Sequence, residues 1–210
     1  MVTADLRGLY VLTDERLGDR LEPAVAAALA GGARLVQYRD KSGDSARRLR
    51  EARALRRLTR AYGALFLVND DPALAAEAEA DGVHLGRDDP GLGRARRLMG
   101  PEAVIGVSCY ASLDRARAAV RAGADYVAFG SVYPSPTKPG AVYAPLSLFR
   151  EARREIGRPL CAIGGITPDN AAPVAAAGAD MLAVISSVVF APDPGEAARR
   201  LAAIAASADC

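Results

Sequence analysis

The sequence predicts a single-domain α/β protein built as a (β/α)8, or TIM, barrel. Three observations lead there. Eight short apolar runs, several rich in β-branched residues, alternate with eight longer Ala/Arg/Leu-rich segments of helical period, the pattern of repeated βα units and a parallel sheet. The 210 residues fit that architecture at its compact end. The first apolar run ends in TDERLG, without the phosphate loop that follows the first strand of many doubly wound sheets.

GLYVLTD (8–14) is the first strand, and the alanine-rich 22–31 the first helix. LVQYRD (35–40) precedes the long Arg/Leu/Ala segment 45–62, whose charges recur with helical spacing. LFLVND (65–70) is followed by a helix over 72–79 that opens on Pro72, a residue favoured in the first turn. GVHLG (82–86) leads to 91–99, VIGVSC (104–109) to 112–122, and DYVAFG (125–130) to 146–156. PLCAIGG (159–165) and a helix over 169–177, with Thr167-Pro168 at its start, make the seventh unit. DMLAVIS (180–186) and 194–206 complete the eighth. The turns GGAR, AGAD and AGAD close helices before strands. No linker or composition shift divides residues 1–210.

Composition excludes several classes of function. At 50 % hydrophobic residues and a net charge of +2, the chain buries a full core and carries no basic excess for nucleic acid. The arginines of RRLREARALRRLTR alternate with apolar residues, which makes a solvated helix face. Cys109, Cys161 and Cys210 are odd in number and far apart, which argues against a disulfide framework or zinc site and for a reducing cytosol. No run has the length and apolarity of a membrane span, so a cytoplasmic protein acting on small molecules is expected, with homo-oligomerisation left open.

In a barrel the chemistry gathers at the carboxyl ends of the strands. Those ends carry Gln37-Tyr38-Arg39-Asp40-Lys41, Asn69-Asp70-Asp71, Asp88-Asp89, Ser108-Cys109-Tyr110 and the proline-rich stretch FGSVYPSPTKPGA. Against 25 arginines stand two lysines, Lys41 and Lys138, both just past strand ends, as are the single glutamine, Gln37, and Asn69. Lysine is a compact point charge and arginine a planar fork, so a lysine kept in so arginine-rich a chain points to geometry the fork does not serve. An aspartate after a strand is also a common helix cap, a reading open for Asp70 or Asp71 and for Asp89, but one cap uses one acid. Asp70 and Asp89 end neighbouring strands ~5 Å apart, close enough to share one Mg²⁺. Arg39, Lys41, Asn69 and Lys138 are then the groups for phosphate oxygens. Gly164-Gly165 and Ser186-Ser187 occupy the two loops where barrels most often bind a second phosphate. The single histidine, His84, lies mid-strand and reads as a satisfied interior residue. The pattern suits metal-assisted departure of pyrophosphate, which needs charge neutralisation more than proton transfer.

The ordered set VQYRDK, LFLVNDD, GVHLGRDD, IGVSCY, FGSVYPSPTKPGA, AIGGI and AVISS resembles the thiamine phosphate synthase family over almost the whole chain. The resemblance implies joining 4-amino-2-methyl-5-hydroxymethylpyrimidine diphosphate to 4-methyl-5-hydroxyethylthiazole phosphate, with release of pyrophosphate. It implies that Gln37, Tyr38, Arg39, Asp40, Lys41, Asn69, Ser108 and Lys138 hold the pyrimidine diphosphate, with Lys138, Ser108, Arg39 and Lys41 as the catalytic set. Asp70 and Asp89 would hold Mg²⁺, and Ser135, Pro136, Thr137, Gly165, Ile185 and Ser186 the thiazole phosphate. Departure of pyrophosphate would leave a pyrimidinylmethyl cation for the thiazole nitrogen to capture.

The chain departs from the family pattern at Arg87, where glutamine is commoner, at Asp40, where glutamate is, and at Cys109-Tyr110, where many members have a small residue and histidine. Two other readings stay open: a thiazole tautomerase-like barrel, whose proton transfers use a histidine that the loop after the sixth strand lacks here, and a barrel that only binds a phosphorylated metabolite. Lys138 separates a catalytic loop from a solvated one. Pro134, Pro136 and Pro139 stiffen its loop, and arginine keeps the charge but not the point geometry. Lys138→Arg is expected to lose about tenfold in kcat with folding unchanged; wild-type turnover at saturating substrates and Mg²⁺ would show the loop lysine to be a solvated charge.

Overall fold

The computed structural model describes residues 5–86, 91–134, 140 and 142–207. Eight parallel strands close on themselves in sequence order, β1 (Gly8–Leu12), β2 (Leu35–Tyr38), β3 (Leu65–Asn69), β4 (Gly82–Leu85), β5 (Val104–Tyr110), β6 (Tyr126–Gly130), β7 (Leu160–Ile163) and β8 (Met181–Val184). β8 returns to β1 with Gly8 opposite Met181 and Val11 opposite Val184. The helices are α1 (Leu21–Ala30), α2 (Ser45–Ala61), α3 (Pro72–Glu77), α4 (Leu92–Met99), α5 (Leu113–Arg121), α6 (Leu146–Glu155), α7 (Ala171–Ala176), α8 (Ser186–Val189) and α9 (Pro194–Ser207). No described helix is long and apolar enough to cross a membrane.

The anticipated strands and the eight main helices are all present, with ends displaced by at most two residues. Two short elements were not anticipated, a 3-10 turn over Glu15–Arg20 and α8 directly after β8. The start expected at Thr167-Pro168 is corrected. α7 begins at Ala171, because the Asn170 side chain turns back to accept the Thr167 N–H (2.8 Å) and holds 167–170 as a turn.

Side chains alternate across each strand. Leu9, Val11, Val36, Phe66, Val68, Val83, Ile105, Val127, Phe129, Leu160 and Leu182 face outward to the helices in the larger core. Tyr10, Leu12, Leu35, Leu67, Val104, Tyr126, Ala128, Cys161, Met181 and Ala183 fill the interior. Burial on both faces explains why the strands read as nearly continuous apolar runs.

The amino-terminal rim carries one device three times. Asp81, just before β4, accepts the N–H of Phe66 on β3 (2.8 Å) and both terminal nitrogens of Arg56 on α2 (2.7 Å each). Asp125, just before β6, accepts Ile105 N–H on β5 and Arg96 on α4, each at 2.8 Å. Asp180, just before β8, accepts Leu160 N–H on β7 (2.6 Å) and is paired with Arg153 on α6. Each aspartate satisfies an N–H at the start of the preceding strand and ties it to the helix that leads into it. The final residue of the AGAD turns therefore serves stability at the end of the barrel away from the chemistry. Asp125→Ala orphans the amide of Ile105, whose side chain is fully buried, and is expected to lower stability by about 1–3 kcal/mol in urea titration, with less loss for Asp125→Asn.

Candidate active site

At the carboxyl end of β1, Thr13 N–H donates to Gln37 O (2.9 Å) and Thr13 Oγ1 accepts Arg39 N–H (2.9 Å), so the loop after β2 is held by the turn after β1. Gln37 points inward, where its Nε2 donates to the Tyr10 hydroxyl at 2.5 Å. Tyr38 points outward and donates to Glu51 on α2 (2.7 Å) and Asp40 (3.2 Å). Asp40 also accepts Ser42 N–H and Arg47 Nη2, both at 2.6 Å. Burial works to raise the Asp40 carboxyl, but the bonds from Ser42 and Arg47 outweigh it and hold the group below its usual range. The Tyr38 and Asp40 side chains thus brace the loop between strand and helix. Arg39 lies 3.6 Å from Glu15, and Lys41, half-exposed, reaches Asp70 Oδ2 at 2.5 Å.

The two aspartates after β3 divide their tasks. Asp71 caps α3 by accepting Leu74 N–H (3.0 Å) and pairs with Arg48 (3.0 Å). Asp70 adopts a left-handed backbone (φ 63°), and its N–H donates to His84 O on β4 (2.8 Å). That conformation is uncommon outside glycine, but Asp tolerates it better than most residues. It sends the carboxylate to Lys41 while the next residue starts the helix. Asn69, last in β3, is in register with His84.

His84 faces the interior. Its Nδ1 is 2.8 Å from the Tyr126 hydroxyl and its Nε2 2.8 Å from Ser108 Oγ. Tyr126 lies 3.0 Å from the Tyr10 hydroxyl, which joins β1, β4, β5 and β6 through one polar layer. Gly106, opposite both His84 and Tyr126, makes this layer fit, since a Cβ there would stand 2.0 Å from Tyr126 Cζ. Arg115 on α5 donates from Nε to Ser108 O (2.8 Å) and from Nη2 to Gly86 O (3.2 Å), drawing the ends of β4 and β5 together. Burial drives the His84 pKa down to about 4, against an opposing pull from Asp70, and drives the Tyr10 and Tyr126 phenols up.

Across the mouth, Gly165 has φ 65°, and a Cβ there would come within 2.4 Å of Pro134 O. The glycine is required by the seam between the loops after β6 and β7, whatever else it meets. Asn170 Nδ2 donates to Gly165 O (3.0 Å), and Tyr133 Oη donates to Asn170 O (3.1 Å), fastening that seam. Ile185 precedes α8, and Ser186 is its first residue. Asp89, Ser135, Pro136, Thr137 and Lys138 lie outside the described residues.

Gln37 and Ser108 share the interior layer, Lys41 meets Asp70 above it, and Gly165, Ile185 and Ser186 sit on the β7–β8 side. A family model for thiamine monophosphate synthase matches residues 9–188, almost the entire barrel. The chain belongs to the thiamine monophosphate synthase family. It is 60 % identical over 201 residues to the thiamine-phosphate synthase of Thioalkalivibrio sulfidiphilus, covering 95 % of each chain. It is 58 % identical to that of Chromobacterium violaceum over 94 % of this chain and 95 % of the relative. Among solved structures, thiamine phosphate pyrophosphorylase from Pyrococcus furiosus aligns with a TM-score of 0.89 at 39 % identity, over 97 % of this chain and 98 % of that one.

Sequence reasoning passed over several residues that shape this family member's site: Tyr10, Tyr126, Gly106, Arg115 and Asn170. A phenol at an inward position of GLYVL and of YVAFG was the available signal, and its partners depend on barrel closure.

The low His84 value carries a stability consequence. The unfolded chain takes up a proton near the ordinary histidine pKa of 6.5 and the folded chain only near 4, so the unfolded state binds more protons in between. Stability of the metal-free protein is therefore full above 6.5 and falls as pH drops from 6.5 toward 4, by at most about 1.4 kcal/mol per pH unit from this group. Histidine NMR should show no imidazole titration near 6.5, while a midpoint there would mean that water reaches the interior layer.

Proposed function

We propose that the chain condenses 4-amino-2-methyl-5-hydroxymethylpyrimidine diphosphate with 4-methyl-5-hydroxyethylthiazole phosphate to give thiamine monophosphate and pyrophosphate. The activity is that of a thiamine-phosphate synthase, a transferase, as the names of its relatives at 56–60 % identity support. The observation in this site that carries the reading is the division between Asp70 and Asp71. A carboxylate released from capping meets Lys41 at 2.5 Å beside the groups that suit a diphosphate.

Mg²⁺ fits the donor set on that observation. Asp70 offers a hard carboxylate oxygen whose local counter-charge is a mobile ammonium, half-exposed at Lys41. Asp70 and Asp89 are the residues to hold the ion, which when bound supplies charge neutralisation to the departing pyrophosphate. The chain's own groups then do the rest. Lys41 and Arg39 bind diphosphate oxygens, Ser108 donates a hydrogen bond to them, and Asn69 and Gln37 orient the pyrimidine. Lys138 closes on the leaving group from the proline-rich loop, while Ser135, Pro136, Thr137, Gly165, Ile185 and Ser186 take the thiazole phosphate. The bond from the pyrimidine methylene carbon to the diphosphate oxygen breaks with its electron pair leaving on pyrophosphate, and the thiazole nitrogen lone pair closes on the resulting cation. That nitrogen carries no proton, so no general base is needed. The buried, neutral His84 suits this chemistry, which asks for hydrogen bonding and not for a proton shuttle.

A tautomerase-like reading has less support, since the chain's single histidine is enclosed between Tyr126 and Ser108. The setting we propose is the cytosol, where the buried free thiols Cys109 and Cys161 stay reduced. Incubation with both substrates and Mg²⁺ is expected to yield thiamine monophosphate, and EDTA to stop it. Asp70→Asn should cut kcat/KM by about 10²- to 10³-fold. Turnover undiminished in EDTA would remove the metal from the reaction, and absence of product with both substrates would remove the activity.

A further inference from the structure

Five side chains form one hydrogen-bonded chain through the barrel interior. Gln37 Nε2 is 2.5 Å from Tyr10 Oη, Tyr10 Oη 3.0 Å from Tyr126 Oη, Tyr126 Oη 2.8 Å from His84 Nδ1, and His84 Nε2 2.8 Å from Ser108 Oγ. Tyr10, Gln37 and Tyr126 are at most 1 % exposed and His84 is 9 % exposed, so bulk water is a poor substitute for any link. Each phenol and the neutral imidazole carry one mobile proton, so choosing the direction of one link chooses all of them.

Only two complete arrangements exist. In one, Gln37 donates to Tyr10, Tyr10 to Tyr126, Tyr126 to His84 Nδ1, and His84 Nε2–H to Ser108, whose own proton is left to point outward. In the other, Ser108 donates to Nε2, Nδ1–H donates to Tyr126, Tyr126 to Tyr10, and Tyr10 to the oxygen of a reversed Gln37 amide. A phenol is a stronger donor than a neutral imidazole N–H, and a bare imidazole nitrogen is a stronger acceptor than a phenol oxygen. The His84–Tyr126 link therefore selects the first arrangement. The same arrangement accounts for Gln37 Oε1, which is buried and has no hydrogen-bond partner among the described residues, as an acceptor kept for a ligand N–H.

We propose that Tyr126 and Tyr10 are positioning residues that order this chain in one direction, making Ser108 a donor to an anion and Gln37 an acceptor for an amino group. The pairing of anion and amino group in one ligand rests on the function proposed above, whereas the ordering itself rests on the interior geometry. His84 is the transmitting residue: its tautomer is set by Tyr126 on one side and sets the role of Ser108 on the other.

The chain has one histidine, so ¹⁵N-histidine labelling of the whole protein reports a single imidazole. Near neutral pH the expected spectrum has the proton on Nε2 and a hydrogen-bonded, unprotonated Nδ1. Tyr126→Phe nearly keeps the volume and should move the Nδ1 resonance toward that of a free imine nitrogen. It should also weaken calorimetric binding of inorganic pyrophosphate with Mg²⁺ by about tenfold, with far-ultraviolet circular dichroism unchanged. Tyr10→Phe should leave Nδ1 nearly where it was, because Tyr126 still donates to it. A proton on Nδ1 in the wild type overturns the proposal, as does an Nδ1 resonance or a pyrophosphate affinity unmoved by Tyr126→Phe. These readouts need no turnover, so a chain that shows them but makes no thiamine monophosphate would overturn the functional reading alone.

Discussion

The interior of a closed eight-stranded barrel is a small volume that only inward side chains can fill, and here one of its layers is polar. Tyr10, Tyr126, Gln37 and His84 occupy space from which water is excluded, so their polar atoms must be satisfied by one another. That requirement fixes the rest of the arrangement. Gly106 has to lack a side chain where the Tyr126 ring crosses β5, and β8 has to return to β1 for Tyr10 to reach Tyr126. Gln37 Oε1, a buried atom of the layer with no partner among the described residues, belongs to a strand whose end leads into the mouth.

The two ends of the barrel solve different problems. At the amino-terminal rim Asp81, Asp125 and Asp180 are consumed by strand amides and helix arginines, and their charge holds elements in place. At the carboxyl-terminal rim Asp71 is likewise consumed by a cap and Arg48, but Asp70 is left facing a lysine at the surface. An acid that meets a mobile ammonium can exchange that partner for another cation, whereas one locked to a backbone amide and a guanidinium has no second use.

Arginine and lysine divide along the same line. Arg56, Arg96, Arg115 and Arg153 present forks that bond a carboxylate or two backbone carbonyls, tasks that need several donors held in a plane. Lys41 presents a single charge at the mouth. The rarity of lysine in this chain is thus a clue with a physical basis, since arginine serves the fixed contacts and lysine is kept where a point charge is wanted.

Period and composition determined the eight strands, the eight main helices and closure as a barrel, because burial on both faces of a parallel sheet writes itself into short apolar runs separated by amphipathic helices. The rim positions Lys41 and Asp70 were legible for the same reason, since in a barrel the residue after a strand is at the mouth, whereas Gln37, Asn69 and Ser108 lie within β2, β3 and β5 and not beyond their ends. Which aspartate caps α3 and which meets Lys41 was not legible, because it turns on the left-handed backbone of Asp70 and its bond to His84 O on another strand. The turn at Thr167 and the outward bracing of Tyr38 and Asp40 were hidden likewise, since each depends on one particular hydrogen bond and not on spacing. The interior chain from Gln37 to Ser108 was decided only by tertiary structure. Its members come from five strands, and a hydrogen bond between residues as distant as Tyr10 and Tyr126 exists only once closure has set the register that brings them within 3.0 Å.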